Sequence, residues 1–266
     1  DARSKAGVFA DAAIARAKKQ IKSQQLDDFT ETSIEILGGV PEDFLGSHVA
    51  DYQEVALKIA ARHRSAAGIG VFLKEITGLG LATPPGLCVF AGGRPKPSPV
   101  IRLFSFLLSK EEVSVRIHRG GETIDHTVAP VLTSEPAVPV PHTLPPSPKA
   151  QSALTPVPLI QLAYGRSGDK GDKANIGIIA RQSEYLPYIW AALTPEVVAS
   201  CFSRFLDGRV ERFLLPGIHA INFVLHDVLG GGGIASLRND AQGKGYAQIL
   251  LAQSIDLPAP LAERIS

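Results

Sequence analysis

AYGRSGDKGDKANIGIIA, Ala163 to Ala180, decides how the second half of this chain is read. An apolar run stops at Tyr164; glycine and charge follow, with Arg166, Ser167, Asp169, Lys170, Asp172 and Lys173; apolar residues resume after Asn175. The pattern predicts two strands, Leu159 to Tyr164 and Asn175 to Arg181, around a charged loop. Glycine lets such a loop turn sharply, and exposed N–H groups beside cations converge well on an anion. A second stretch of the same materials, LGGGGIASLRNDAQGKGYAQ from Leu229 to Gln248, adds Arg238, Asp240, Gln242 and Lys244. The expectation is that folding brings both stretches to one end of a small domain as a single polar site for a carboxylate or phosphate. The alternative is a pair of solvated turns whose charges neutralise one another in weak exposed pairs. Neither GxxxxGK[ST] nor GxGxxG occurs, so neither established nucleotide loop is implied.

Working outward, Thr194 with Pro195 predicts a capped helix over Pro195 to Leu206. Val210 to Leu215 alternates like a strand. Ile218 to Leu229 is long and apolar enough for a second helix, and a strand near Ile234 to Arg238 and a terminal segment, Tyr246 to Ile255, complete the domain. Two helices on one face of a small sheet make an α+β sandwich whose order approximates a ferredoxin-like pattern. Upstream, nine prolines between Pro130 and Pro158 disfavour both helix and ladder, and Ala129 to Val157 is predicted as an extended linker. Before it, helices are expected at Lys5 to Leu26 and Ser65 to Thr77. Strands are expected at Thr32 to Leu37 and Glu54 to Ala60, with Ile101 to Leu108 and Val113 to His118 as a hairpin or neighbours. The fold class is therefore a mixed α/β region followed by a small ferredoxin-like α+β sandwich domain.

Three further groups could carry chemistry. On the predicted helix, His219 and His226 lie two turns apart on one face with Asp227 beside the second and Asn222 a turn from each, which suits acid–base work. GGRPKPSP, Gly92 to Pro99, offers Arg94, Lys96 and Ser98 as a second candidate anion loop held stiff by proline. No HExxH or CxxC motif is present, so neither a metal centre nor a cofactor is implied, and without GxSxG there is no serine nucleophile elbow. The formal charge of +1, from 27 basic and 26 acidic residues, places any anion site locally and excludes a global field for nucleic acid or membrane. No apolar run approaches the ~20 residues of a membrane span, and the first residues lack a signal peptide's apolar centre, so a cytoplasmic protein is expected. Cys88 and Cys201, each beside apolar neighbours, are expected as buried thiols rather than a disulfide or zinc site. With no methionine in the chain, Asp1 is not an encoded start, and the chain is either processed or the downstream piece of a longer protein.

Four strings together resemble the acyclic terpene utilisation (AtuA) family: GGRPKPSPVIRLFSFLL (Gly92 to Leu108), AYGRSGDKGDKANIGIIAR, LPGIHAINFVLHDVLGGGG (Leu215 to Gly233) and SLRNDAQGKGYAQILL (Ser236 to Leu251). The resemblance implies the C-terminal part of a large α/β domain over residues 1–128, the linker over 129–157 and a ferredoxin-fold domain over 158–258. The family's N-terminal half, with its own glycine-rich opening, is not in this chain. The setting implied is bacterial breakdown of acyclic terpenoids such as citronellol and geraniol through CoA thioesters, with no reaction assigned. The expectation is thus a role in catabolism of a terpenoid or branched acid, the glycine and lysine loops binding the anionic end of a small acid or acyl-CoA. The rival is a non-catalytic assembly module that forms a homo-oligomer, or docks on the absent half or on a pathway enzyme.

Overall fold

The computed structural model describes residues 1–38, 53–83, 85–89, 93, 95–102, 104–127, 143–148 and 153–265. Contacts group residues 1–101 with 144–266 in one compact unit and 102–143 in another. In the first unit, helix α1 (Ala2–Ser23) buries Ala10, Ala13, Ala17 and Ile21, a stripe at helical spacing. It packs on the antiparallel hairpin β1 (Glu31–Leu37) and β2 (Ala56–Arg62) and on helix α2 (Ala66–Gly80), which buries Phe72. Ser65 caps α2 by accepting from the Ala67 N–H at 3.1 Å, a cap worth about 1 kcal/mol. These four elements stand where the apolar spacing puts them.

The second unit carries one hairpin, β3 (Val115–Arg119) and β4 (Glu122–His126). This differs from the expected pairing of Ile101 to Leu108 with Val113 to His118: the described residues of 101–108 are not in a strand. Gly120 and Gly121, at φ +57° and +87°, form a two-residue turn of the hairpin-favouring hand, so β3 pairs with β4 across that turn instead.

The small domain, within the first unit, begins with strand β5 (Leu154–Pro158), which starts inside the stretch expected as linker and ends one residue past it, and a single helical turn, α3 (Leu159–Leu162). Next come β6 (Ala163–Lys170), β7 (Lys173–Ala180), helices α4 (Leu186–Ala192) and α5 (Pro195–Cys201), then β8 (Val210–Leu215) and β9 (Ala220–Leu225). Helix α6 (Tyr246–Leu251), strand β10 (Ser254–Pro258) and the turn α7 (Ala259–Ala262) close the chain. The order β6-β7-β9-β8 gives a four-stranded antiparallel sheet, and β5 pairs with β10 beside it. One sheet face carries Ile176, Ile178, Ile221, Phe223 and Leu225 into a core with Ile189, Val198, Phe202 and Leu250. Each such side chain contributes about 1.5–3 kcal/mol on burial. The α+β sandwich expected for this half is present.

Four local expectations are corrected. The strand expected at Leu159 to Tyr164 is a helical turn up to Leu162, and the strand begins at Ala163 and runs on through the expected loop to Lys170: Ala163, Gly165 and Ser167 turn inward while Tyr164, Arg166 and Lys170 are exposed. Gly165 lies so close to α6 that a Cβ there would come 2.9 Å from Leu251 Cδ1, which is why small residues occupy the inward positions. The run Ile218 to Leu229 is not a helix but a 3₁₀ turn followed by the central strand β9, with Val210 to Leu215 as its hairpin partner. The segment near Ile234 to Arg238 is a 3₁₀ turn and irregular chain rather than a strand. Cys88, expected to be buried, is exposed; Cys201 is half-buried, and burial pushes its thiol pKa up.

Candidate polar site at the hairpin end of the small domain

The two glycine-rich stretches meet. Gly171, at φ +66°, and Asp172 turn β6 into β7, and this turn lies in the loop that follows β9. Asp172 Oδ1 accepts from the N–H of Leu229 at 3.1 Å and of Gly231 at 2.8 Å, and the Asp172 carbonyl accepts from the Val228 N–H at 3.1 Å. Glycines 230 to 233 all have positive φ, and the turn they form points the Leu229 and Gly231 N–H groups at one place, while those of Gly232 and Gly233 donate to the Leu229 and Ala241 carbonyls. The chain's own carboxylate fills that place. Ser167, buried on β6, donates to the Lys244 carbonyl at 3.2 Å and accepts from the Ala247 N–H at 2.9 Å, tying the strand to the start of α6.

The charged residues of the second stretch divide by role. Arg238 turns inward: it donates to the Val228 carbonyl and, at 3.1 Å, to the Phe205 carbonyl, with its guanidinium 5.2 Å from the Phe205 ring. Beside it, the Tyr246 hydroxyl donates to the Val228 carbonyl at 3.0 Å, and burial pushes its pKa up. Asp240 caps the following turn, accepting from the N–H of Lys244 at 2.8 Å and of Gly245 at 2.7 Å. Gln242 is exposed. Glu35 of β1 accepts from the Asn239 N–H at 2.6 Å, and Arg62 of β2 donates to the Ala235 carbonyl, so the N-terminal hairpin also holds this loop.

What remains available is cationic. Lys170 and Lys173 face each other across the β6–β7 ladder, both exposed. Like charges directly opposite in a ladder are destabilising. Arg166 is exposed on the same strand, and neither it nor Lys173 has an ion-pair partner among the described residues. The Lys244 ammonium lies over Gly168, 3.0 Å from where a Cβ would stand, and 3.5 Å from Asp169 Oδ1. Asn175, opposite Gly168, donates through its side-chain amide to the Asn222 side-chain oxygen, Oδ1, of β9. Arg166, Lys170, Lys173, Lys244 and Asn175 thus gather around two glycines, 168 and 177, on the sheet face away from the helices.

The proposed histidine pair is not a pair. His219, at φ +51°, and His226 flank β9, so some seven extended residues, roughly 23 Å, separate them. His226 Nε2 is bonded to Glu211, and that bond is the main cause holding the Glu211 carboxyl below its ordinary pKa. Asp227, at φ +50°, is exposed and helps turn the chain, its carbonyl accepting from the Asp207 N–H at 3.1 Å. Lys96 and Ser98 are exposed in irregular chain, while Arg94 lies outside the described residues. A cleft of about 460 Å³ lined by Lys18, Lys19, Ile21, Lys22, Leu26 and Asp28 shares no residue with the hairpin-end cluster; Lys18 there is 3.2 Å from Asp28. Among the described residues no group of three or more histidine, cysteine, aspartate or glutamate side chains is placed to hold a metal ion, and no helix is long and apolar enough to cross a membrane.

Sequence reasoning missed the outer sheet face, where Tyr164, Ile179, Phe213 and Leu215 are all exposed. The alternation in Val210 to Leu215 was the available signal, since it places Glu211, Phe213 and Leu215 opposite the inward residues. Residues 1–119 match the family model described as acyclic terpene utilisation family protein AtuA, and residues 157–256 match that of the AtuA ferredoxin-like domain. No curated protein and no solved structure matches the chain.

Proposed function

The chain belongs to the acyclic terpene utilisation family, and from that premise we propose that it serves the catabolism of acyclic terpenoid or branched acids, binding their anionic end on the small domain. The ligand class is a branched carboxylate or its CoA thioester, held by Lys170 and Lys173 at the β6–β7 turn. The observation that carries this reading is the Lys170–Lys173 pair, two like charges opposed in one ladder. A bound phosphate or carboxylate would relieve that repulsion. The carboxylates nearest to them are engaged: Asp172 by backbone N–H groups and Asp169 beside Lys244.

The test is calorimetric titration of the chain with a panel of branched acyl-CoA thioesters and free acids. Charge reversal at both positions, Lys170→Glu with Lys173→Glu, is expected to weaken binding by about tenfold or more, and salt to weaken wild-type binding, since exposed charges are screened. Unchanged affinity in the double variant would remove the support for this site.

A second reading is assembly. It is favoured by the exposed apolar residues at the other end of the same sheet face, where Tyr164 is 58% and Phe213 48% exposed. Open apolar area of this kind on a folded sheet suits a protein partner.

A further inference from the structure

The ladder register sorts the outer face of the sheet into three rows running from β6 to β8. Lys244, over Gly168, shares a row with Asn175, Val224 and Glu211. Arg166 shares the next with Gly177, Asn222 and Phe213, and Tyr164 the third with Ile179, Ala220 and Leu215. Each row ends in complementary partners: ammonium and carboxylate, guanidinium and aromatic ring, aromatic ring and aliphatic chain. We propose that two copies of this chain pair through these faces about a twofold axis parallel to the strands.

Such an axis reverses strand order and keeps the rows level, so that β6 of one copy lies over β8 of the other. Lys244 then meets Glu211 of the second copy, Arg166 lies on the Phe213 ring and Tyr164 packs on Leu215, each contact made twice. In the middle row Gly177, with no side chain, faces the larger Asn222. Sheets stacked in this way sit ~10 Å apart with strands within about 30° of one another, which exposed side chains of this size fill. An isologous contact demands this property, that each residue's complement lie on the same surface at the position the axis maps onto it. Lys170 and Lys173 are the next outward pair of the β6–β7 ladder, at its turn, where no carboxylate of the second copy faces them, and they stay open to an anion. The inference rests on the assembly reading above.

Sedimentation and native mass spectrometry of the 266-residue chain test it. Wild type is expected as a dimer, and Lys244→Glu and Glu211→Lys each weaken self-association about tenfold or more by opposing like charges twice. Mixing the two variants restores the dimer, because both contacts then pair opposite signs. Phe213→Ala, which removes a half-exposed ring, weakens the dimer without unfolding the chain and leaves thioester binding in place. A monomeric wild type, a mixture of the two folded charge variants that stays monomeric, or a Phe213→Ala dimer as tight as wild type overturns the proposal. Loss of thioester binding in Lys170→Glu with Lys173→Glu is read separately, so failure of the dimer and failure of the anion site are distinguishable.

Discussion

Gly232→Ala is expected to lower the unfolding free energy by about 3 kcal/mol or more, the largest effect of any single methyl added to the small domain. Gly232 is buried at φ +69° and ψ 153°, a region essentially restricted to glycine that costs other residues of order 1–3 kcal/mol. A Cβ there would also fall inside contact distance of the Gly171 carbonyl. That carbonyl cannot easily retreat, since the next residue is fastened to the glycine loop by three hydrogen bonds. Gly233→Ala is the internal control. Gly233 has φ +50° and open space around its Cβ position, so alanine there meets only the left-handed backbone cost of about 1–2 kcal/mol. Urea unfolding of both variants separates strain from collision. Equal losses would mean that turn and loop do not interlock.

Asp172→Ala is expected to cost about 2–3 kcal/mol. It removes a charge-assisted acceptor from two backbone N–H groups, one of them on the buried residue Leu229, and leaves them without that partner. Asp172→Asn keeps an oxygen in place and recovers part of the loss. The vacated nest gives a sharper signature: inorganic phosphate is expected to raise the melting temperature of Asp172→Ala more than that of wild type, because an external anion replaces the missing carboxylate. Thermal unfolding with and without phosphate checks this. A neutral Asp172→Ala with no phosphate response would show that the glycine loop keeps its shape unaided.

These two residues also mark where sequence reading succeeds and where it stops. That the stretches around Asp169 and Lys244 share one end of a domain was legible, because both combine glycine with opposite charges that attract once folded. Which groups then pair was not: Arg238 turned inward to two carbonyls, and Asp172 took the N–H groups an external anion would have used. Val210 to Leu215 was legible as a strand since its alternation is clean. Its partner β9 was not, since a central strand packed on one face and half-covered on the other presents an apolar run, broken only by Asn222, that periodicity does not tell from a helix. The same misreading put His219 and His226 on one face. β6 hid as a loop because an edge strand close to a helix needs Gly165 and Ser167 inside and tolerates charge outside. Gly120-Gly121, by contrast, is a hairpin signal legible in the residues themselves, outweighed by the longer apolar run of Ile101 to Leu108.

The central claim, that cations of the hairpin end take an organic anion while Asp172 keeps the glycine loop filled, is most directly tested by amide chemical-shift mapping during titration with a branched acyl-CoA. Saturating shifts at Lys170 and Lys173, with Leu229 and Gly231 unmoved, are the predicted result. Shifts centred on Leu229 and Gly231, or none at the cations, would contradict it.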